Sequence, residues 1–119
     1  MRKARPTAGA EPSRADIAQA KRAARRFLAG YLTYTYGRGS ARRIASVSGE
    51  LRGRLAGERP RVPARERRRR PRLELLQSDG VGRERARLLA MVRDGERRYT
   101  VGLELARSAA GWRVIDLGR

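Results

Sequence analysis

Three groups of residues have types and spacings that could do chemistry. The first is the run Arg67-Arg68-Arg69-Arg70, with Arg65 beside it, in a segment punctuated by Pro60, Pro63 and Pro71. A planar guanidinium makes paired hydrogen bonds to phosphate or carboxylate, so several on one segment form a candidate polyanion site. The run also reads as a solvated loop: like charges repel, Glu58 and Glu66 dilute the sign, and no aromatic is interleaved for base stacking. The second group is Tyr31, Tyr34 and Tyr36 beside Gly37-Arg38-Gly39. It is either a stacking platform or a helix end with Tyr31 in the core and the other two hydroxyls in water. The third is Asp116, which shares two-residue parity with Trp112 and Val114. Inside a pocket such a carboxylate would have a raised pKa and could act as a base; the alternative is a solvated strand end. Trp112 itself reads as a core plug, and Gly37-x-Gly39 lacks the preceding strand and following glycine of a nucleotide-binding loop.

The chain contains no His and no Cys. Zinc centres built on those ligands, iron–sulfur clusters, thiol nucleophiles, Ser-His schemes and disulfides are therefore excluded. No metal or cofactor is expected, and no catalytic constellation stands out. Its 119 residues suit one domain, with a small aliphatic core, since 39% are hydrophobic and only 5% aromatic. Against 12 acidic residues stand 30 basic ones, a net charge of +18. Such a charge attracts polyanions and acidic partners in a salt-dependent way. Only Lys3 and Lys21 are lysines, a bias that GC-rich coding alone could produce. Residues 1–57 carry +10, residues 58–72 carry +6 and residues 73–119 only +2, so the front of the chain should give the molecule one basic face.

These residues need elements to position them. Residues 1–12, basic and proline-containing, read as a flexible tail without the apolar length of a signal peptide. Ser13-Arg14-Ala15-Asp16 has capping-box spacing and starts a helix over about 14–37. Its apolar arc is Ile17, Ala20, Ala24, Phe27, Leu28 and Tyr31; Arg22, Arg25 and Arg26 lie outside that arc, and Gly37 and Gly39 end the helix. Ser40 can cap a second helix over about 40–56, weakened by Gly49 and Gly53. An exposed loop over 58–72 follows. From there two-residue alternation predicts strands over about 73–78, 84–93, 97–107 and 112–117, with turns at Asp79-Gly80, Asp94-Gly95 and Ser108 to Gly111. Ala86, Leu88, Ala90 and Val92 share one face, as do Tyr99, Val101, Leu103 and Leu105. The reading is one α+β domain over 13–118, two helices covering one face of a four-stranded antiparallel meander. The longest apolar run, Leu88 to Val92, is far below the ~20 residues of a membrane span. A soluble chain without a transmembrane segment is expected.

Helix, helix and meander in that order, with Phe27-Leu28-Ala29-Gly30-Tyr31-Leu32 on the first helix and the terminal Gly111-Trp112-Arg113-Val114, resemble the nuclear transport factor two-like superfamily. They are similar in particular to small actinobacterial extracytoplasmic domains of conjugation and type IV secretion assembly factors. The resemblance implies a cone-like curled sheet whose interior would be lined by Phe27, Tyr31, Tyr99 and Trp112. It also implies a non-catalytic interaction or scaffold domain of an envelope or DNA-transfer system, extracytoplasmic or near a membrane surface; without it the expectation is cytoplasmic. Its partner would be another protein or a second copy, bound through Leu89, Met91, Ile115 and Leu117 on the far side of the sheet. Two alternatives stand beside this. One is sequence-nonspecific binding of nucleic acid or another polyanion through Arg22, Arg25, Arg26, Arg65 and Arg67 to Arg70. The other is a small-molecule site or enzyme in the cone, with Asp116 as base.

Overall fold

A computed structural model describes residues 13–58, 62–95 and 97–118. The segment read above as a flexible tail lies outside the described residues, as do Arg59, Pro60 and Arg61. The capping box forms as expected: the Asp16 amide donates to Ser13 Oγ at 3.0 Å and the Ser13 amide to Asp16 Oδ2 at 3.1 Å. The Ser13 amide, reinforced by Arg107 Nη1 at 2.9 Å, holds the Asp16 carboxyl below its ordinary value. From this cap α1 runs over Arg14–Thr35. Its buried stripe follows the expected arc from Ala20 onward and adds Ala23 and Leu32, with Ile17 only partly buried: Ala20, Ala23, Ala24, Phe27, Leu28, Tyr31 and Leu32 face the sheet, while Arg22, Arg25 and Arg26 are exposed. Burial of side chains as large as Phe27 or Leu28 contributes about 1.5–3 kcal/mol each.

The end of α1 is a Schellman motif. Gly37 takes φ +81°, its amide donates to Tyr34 O at 3.0 Å, and the Arg38 amide donates to Thr33 O at 2.9 Å. Beyond it the single second helix expected from Ser40 is not formed. A short 3-10 turn spans Ala41–Arg43, and α2 covers only Gly49–Ala56, capped by Ser48 rather than Ser40. The interruption has a backbone cause. Val47 bridges Val114 in parallel, with the Ser48 amide donating to Val114 O at 2.9 Å and the Val114 amide to Ser46 O at 2.8 Å. This pairing covers part of the outer edge of the sheet, which otherwise invites association.

Four antiparallel strands follow as an open meander: β1 Arg72–Val81, β2 Arg85–Asp94, β3 Arg97–Ser108 and β4 Gly111–Gly118, in that spatial order. The expected core parity holds on β2 and β3, where Ala86, Leu88, Ala90, Val92, Val101, Leu103 and Leu105 are buried. Three irregularities depart from simple alternation, the first leaving Glu74 as an extra residue on β1 between Leu73 opposite Val92 and Leu75 opposite Met91. The first turn lies beyond Asp79-Gly80: β1 continues to Val81 through a register shift, and the Gly82 amide closes onto Arg85 O at 2.8 Å. On β4 the register passes from Leu105 opposite Val114 to Glu104 opposite Asp116, which leaves Ile115 as an extra residue. A bulge of one residue reverses parity beyond it. Leu117 therefore sits opposite Leu103 and packs on the core, not on the far side, and Asp116 faces away from the interior. Among the described residues no helix is long and apolar enough to cross a membrane.

Candidate anion-binding face

The arginine segment is not the free loop its charge predicts. Val62 is buried, its amide donates to Thr35 O at 3.3 Å, and Ala64–Glu66 form a 3-10 turn. Three arginines hold the chain beyond it. Arg67 Nε donates to Val62 O at 3.1 Å, and its side chain lies against Gly37, where an added Cβ would meet Arg67 Cδ at 2.6 Å. Arg38, placed by the Schellman turn, donates to the carbonyls of Arg67 and Arg69, the latter at 3.2 Å. Arg69 Nη1 lies 3.8 Å from both Glu66 Oε1 and Asp94 Oδ1.

Asp94 is the anchor of this arrangement and is 0% exposed. Its Oδ2 accepts from the Tyr36 hydroxyl at 2.7 Å and from Arg97 Nη2 at 3.4 Å, and the same Arg97 nitrogen reaches Glu66 Oε1 at 3.2 Å. The Tyr36 hydroxyl also meets that of Tyr99 at 3.2 Å. Burial first, then the hydrogen bonds to Tyr99 and Asp94, push the Tyr36 phenol far above its ordinary value. Burial also raises Tyr99, partly opposed by its hydrogen bond to Tyr36. A buried carboxylate is costly unless its partners are in place, so this cluster ties the hairpin turn, the helix end and the arginine segment into one unit.

The eight expected polyanion contacts thus divide into groups. Arg67 and Arg69 are engaged inside the protein, and Arg65 lies 3.9 Å from Glu66 while remaining exposed. Arg26 donates from Nε to Ser46 Oγ at 3.0 Å. Arg22, Arg25, Arg68 and Arg70 are exposed, and among the described residues no carboxylate lies within ion-pair distance of them. Two of these four meet across a groove of about 290 Å³. Arg25 comes from α1, Arg70 from the arginine segment and Arg38 from the turn between them, over a floor that includes Leu28, Leu32 and Leu73.

The other expected sites are placed as follows. A second pocket, of about 290 Å³, is lined by Tyr31 and Tyr99 together with Arg97 and Val62, but not by Phe27 or Trp112. Phe27 stacks on Tyr31 at 5.2 Å between ring centroids, fully buried, and Trp112 is a core residue under Arg107. Tyr36 is buried and bonded to Asp94 rather than hydrated, and the Tyr34 hydroxyl reaches Leu55 O at 2.6 Å. Asp116 is half-exposed, pairs with Arg54 at 3.3 Å, and has no place in either pocket that contains the expected residues. Glu74 pairs with Arg93 and Arg98 at 3.1 Å each. Among the described residues no cluster of three or more metal-ligating side chains occurs.

Sequence reading missed the roles of Asp94, Arg38 and Arg97, and it gave Tyr36 a stacking or hydrated place rather than a buried bond to Asp94. Asp94-Gly95 reads as a turn, which it is, and nothing in the dipeptide tells that the aspartate points inward. One signal was available: Asp94 continues the even-numbered core parity of Ala90 and Val92. Compared with protein-family models, curated proteins and solved structures, the chain matches none.

Proposed function

We propose that the chain is a non-catalytic interaction domain that binds a polyanionic or acidic partner through the face built by α1 and the arginine segment. The observation that carries this reading is the convergence of Arg25 and Arg70 with Arg38 on one groove that no carboxylate lines among the described residues. Internal pairing consumes Arg67 and Arg69, and that pairing is what holds Arg70 beside the helix. The nuclear transport factor two-like cone, and with it an accessory role in an envelope or DNA-transfer assembly, belong to the same proposal. They rest on the resemblance in element order.

Fluorescence anisotropy with heparin, duplex DNA, single-stranded DNA and RNA, at low and raised salt, tests the reading. Binding should fall steeply with salt and weaken in an Arg25→Gln/Arg70→Gln variant. Absence of binding to every polyanion at low salt would remove it.

A second reading has its own observation. Leu75 is 49% exposed on the outer side of the sheet, beside partly buried Leu89 and Met91. A scaffold that self-associates there would sediment as a dimer, and Leu75→Asp would return it to monomer. A wild type that stays monomeric at high concentration would exclude that surface as a self-contact.

A further inference from the structure

We infer that the groove between α1 and the arginine segment reads a peptide in which carboxylates flank a large apolar side chain. This rests on the proposed reading of the basic face and narrows it to one class of partner. The groove has two chemistries at once. Arg25 and Arg70 supply guanidiniums, Arg38 stands between them while donating to the carbonyls of Arg67 and Arg69, and the more open Ala29 and Leu73 supply an apolar floor over the buried Leu28 and Leu32. Its volume of about 290 Å³ lies at the small end of ligand sites, which run to roughly 300–1,000 Å³, so it suits one anchoring side chain better than a whole cofactor.

Each rival occupant fails on one of the two chemistries. A nucleic-acid backbone satisfies the arginines but brings no aliphatic group to the floor, and among the described residues no aromatic side chain lines the groove for a base to stack on. A second copy would bring its net charge of +18 to a groove that is itself basic, and residues 1–12 carry Arg2, Lys3 and Arg5 against one acid, Glu11. An acidic peptide with a Leu or Phe between its carboxylates meets both: charge pairing sets the encounter and burial of the side chain adds affinity that salt does not screen.

The test compares two labelled peptides of equal length and charge, one with Leu and Phe between aspartates, the other with Gly and Ser, beside a duplex DNA of matched charge. The full chain is used with three variants: Arg25→Gln/Arg70→Gln, Ala29→Trp and the three changes combined. Ala29 is exposed on α1 and lines the groove, so Ala29→Trp fills the floor without removing a charge. Circular dichroism checks that each variant is folded. The apolar-containing peptide should bind wild type at least about tenfold tighter than its polar counterpart, and the gap should persist at raised salt. Ala29→Trp should close that gap, weakening the apolar-containing peptide more than its polar counterpart. Equal affinity for the two peptides, or tighter binding of the duplex, overturns the inference. If both peptides still lose affinity in Arg25→Gln/Arg70→Gln, the basic-face reading survives that failure; if neither peptide, nor the duplex, binds at all, both fall.

Discussion

Asp94 and Tyr36 set the energetics at the scale of single residues. Removing one partner of a buried, hydrogen-bonded charge costs about 3–5 kcal/mol, because the groups left behind stay desolvated. Asp94→Ala should therefore lower the urea midpoint severely, whereas Tyr36→Phe, which deletes one donor to the carboxylate, should cost about 1–3 kcal/mol. A Tyr36→Phe variant as stable as wild type would mean the hydroxyl bond contributes nothing. The same tyrosine makes stability fall in alkali. Its folded pKa lies above the unfolded value of 10.0, so the unfolded chain gives up the proton first. Its contribution is complete below pH 10 and is lost as pH rises beyond it. Phenolate absorbance should show Tyr36 and Tyr99 still protonated in the native protein at a pH where they ionise in urea, and Tyr36→Phe should flatten the alkaline loss of stability. Asp94 also marks the limit of reading such sites from sequence. Turn chemistry explains why Asp and Gly stand there, but the inward direction of the side chain depends on Tyr36 and Arg97 arriving from elsewhere.

Among the elements, the close approach of α1 to the chain after it decides which glycines matter. A Cβ on Gly30 would lie 2.9 Å from Ile44 Cα and 3.2 Å from Arg43 O, both backbone atoms, while one on Gly53 of α2 meets nothing within 4 Å. Helix propensity alone favours alanine at both positions by up to about 1 kcal/mol. Gly30→Ala should instead destabilise by about 1–3 kcal/mol through overpacking, and Gly53→Ala should stabilise. A Gly30→Ala midpoint that rises as that of Gly53→Ala does would show that α1 is not close-packed on residues 43 and 44 at this point. The elements were legible where period and punctuation were local: the Ser13 capping box, the stripe of α1 and the Asp94-Gly95 hairpin all follow from spacing. Three features were not, because long-range pairing overrode local pattern. Val47 leaves the helix to pair with Val114, the bulge at Ile115 turns Asp116 outward, and the charged segment 62–70 is pinned by an aspartate far along the chain.

For the molecule as a whole, the net charge of +18 guarantees some attraction to any polyanion, so affinity alone says little about a site. The distribution of pairing says more. Carboxylates accompany Arg54, Arg65, Arg69, Arg93, Arg97, Arg98 and Arg107, and Arg25 and Arg70, which have none within ion-pair distance among the described residues, meet over an apolar floor. Composition foretold the basic front of the chain. It did not tell which arginines are consumed internally, since Arg67 and Arg68 are identical neighbours and only the fold separates an anchored one from a free one. The central claim, that charge at this face binds rather than charge at large, is tested most directly by a charge-matched comparison. Arg25→Gln/Arg70→Gln is set against Arg83→Gln/Arg85→Gln, exposed arginines at the far end of the β1–β2 hairpin. The affinity for heparin is measured across a range of salt. The face variant should bind more weakly with its log–log salt slope reduced by about two, while the hairpin variant keeps the wild-type slope. Equal losses in the two variants would contradict the account and leave the arginine excess as undirected charge.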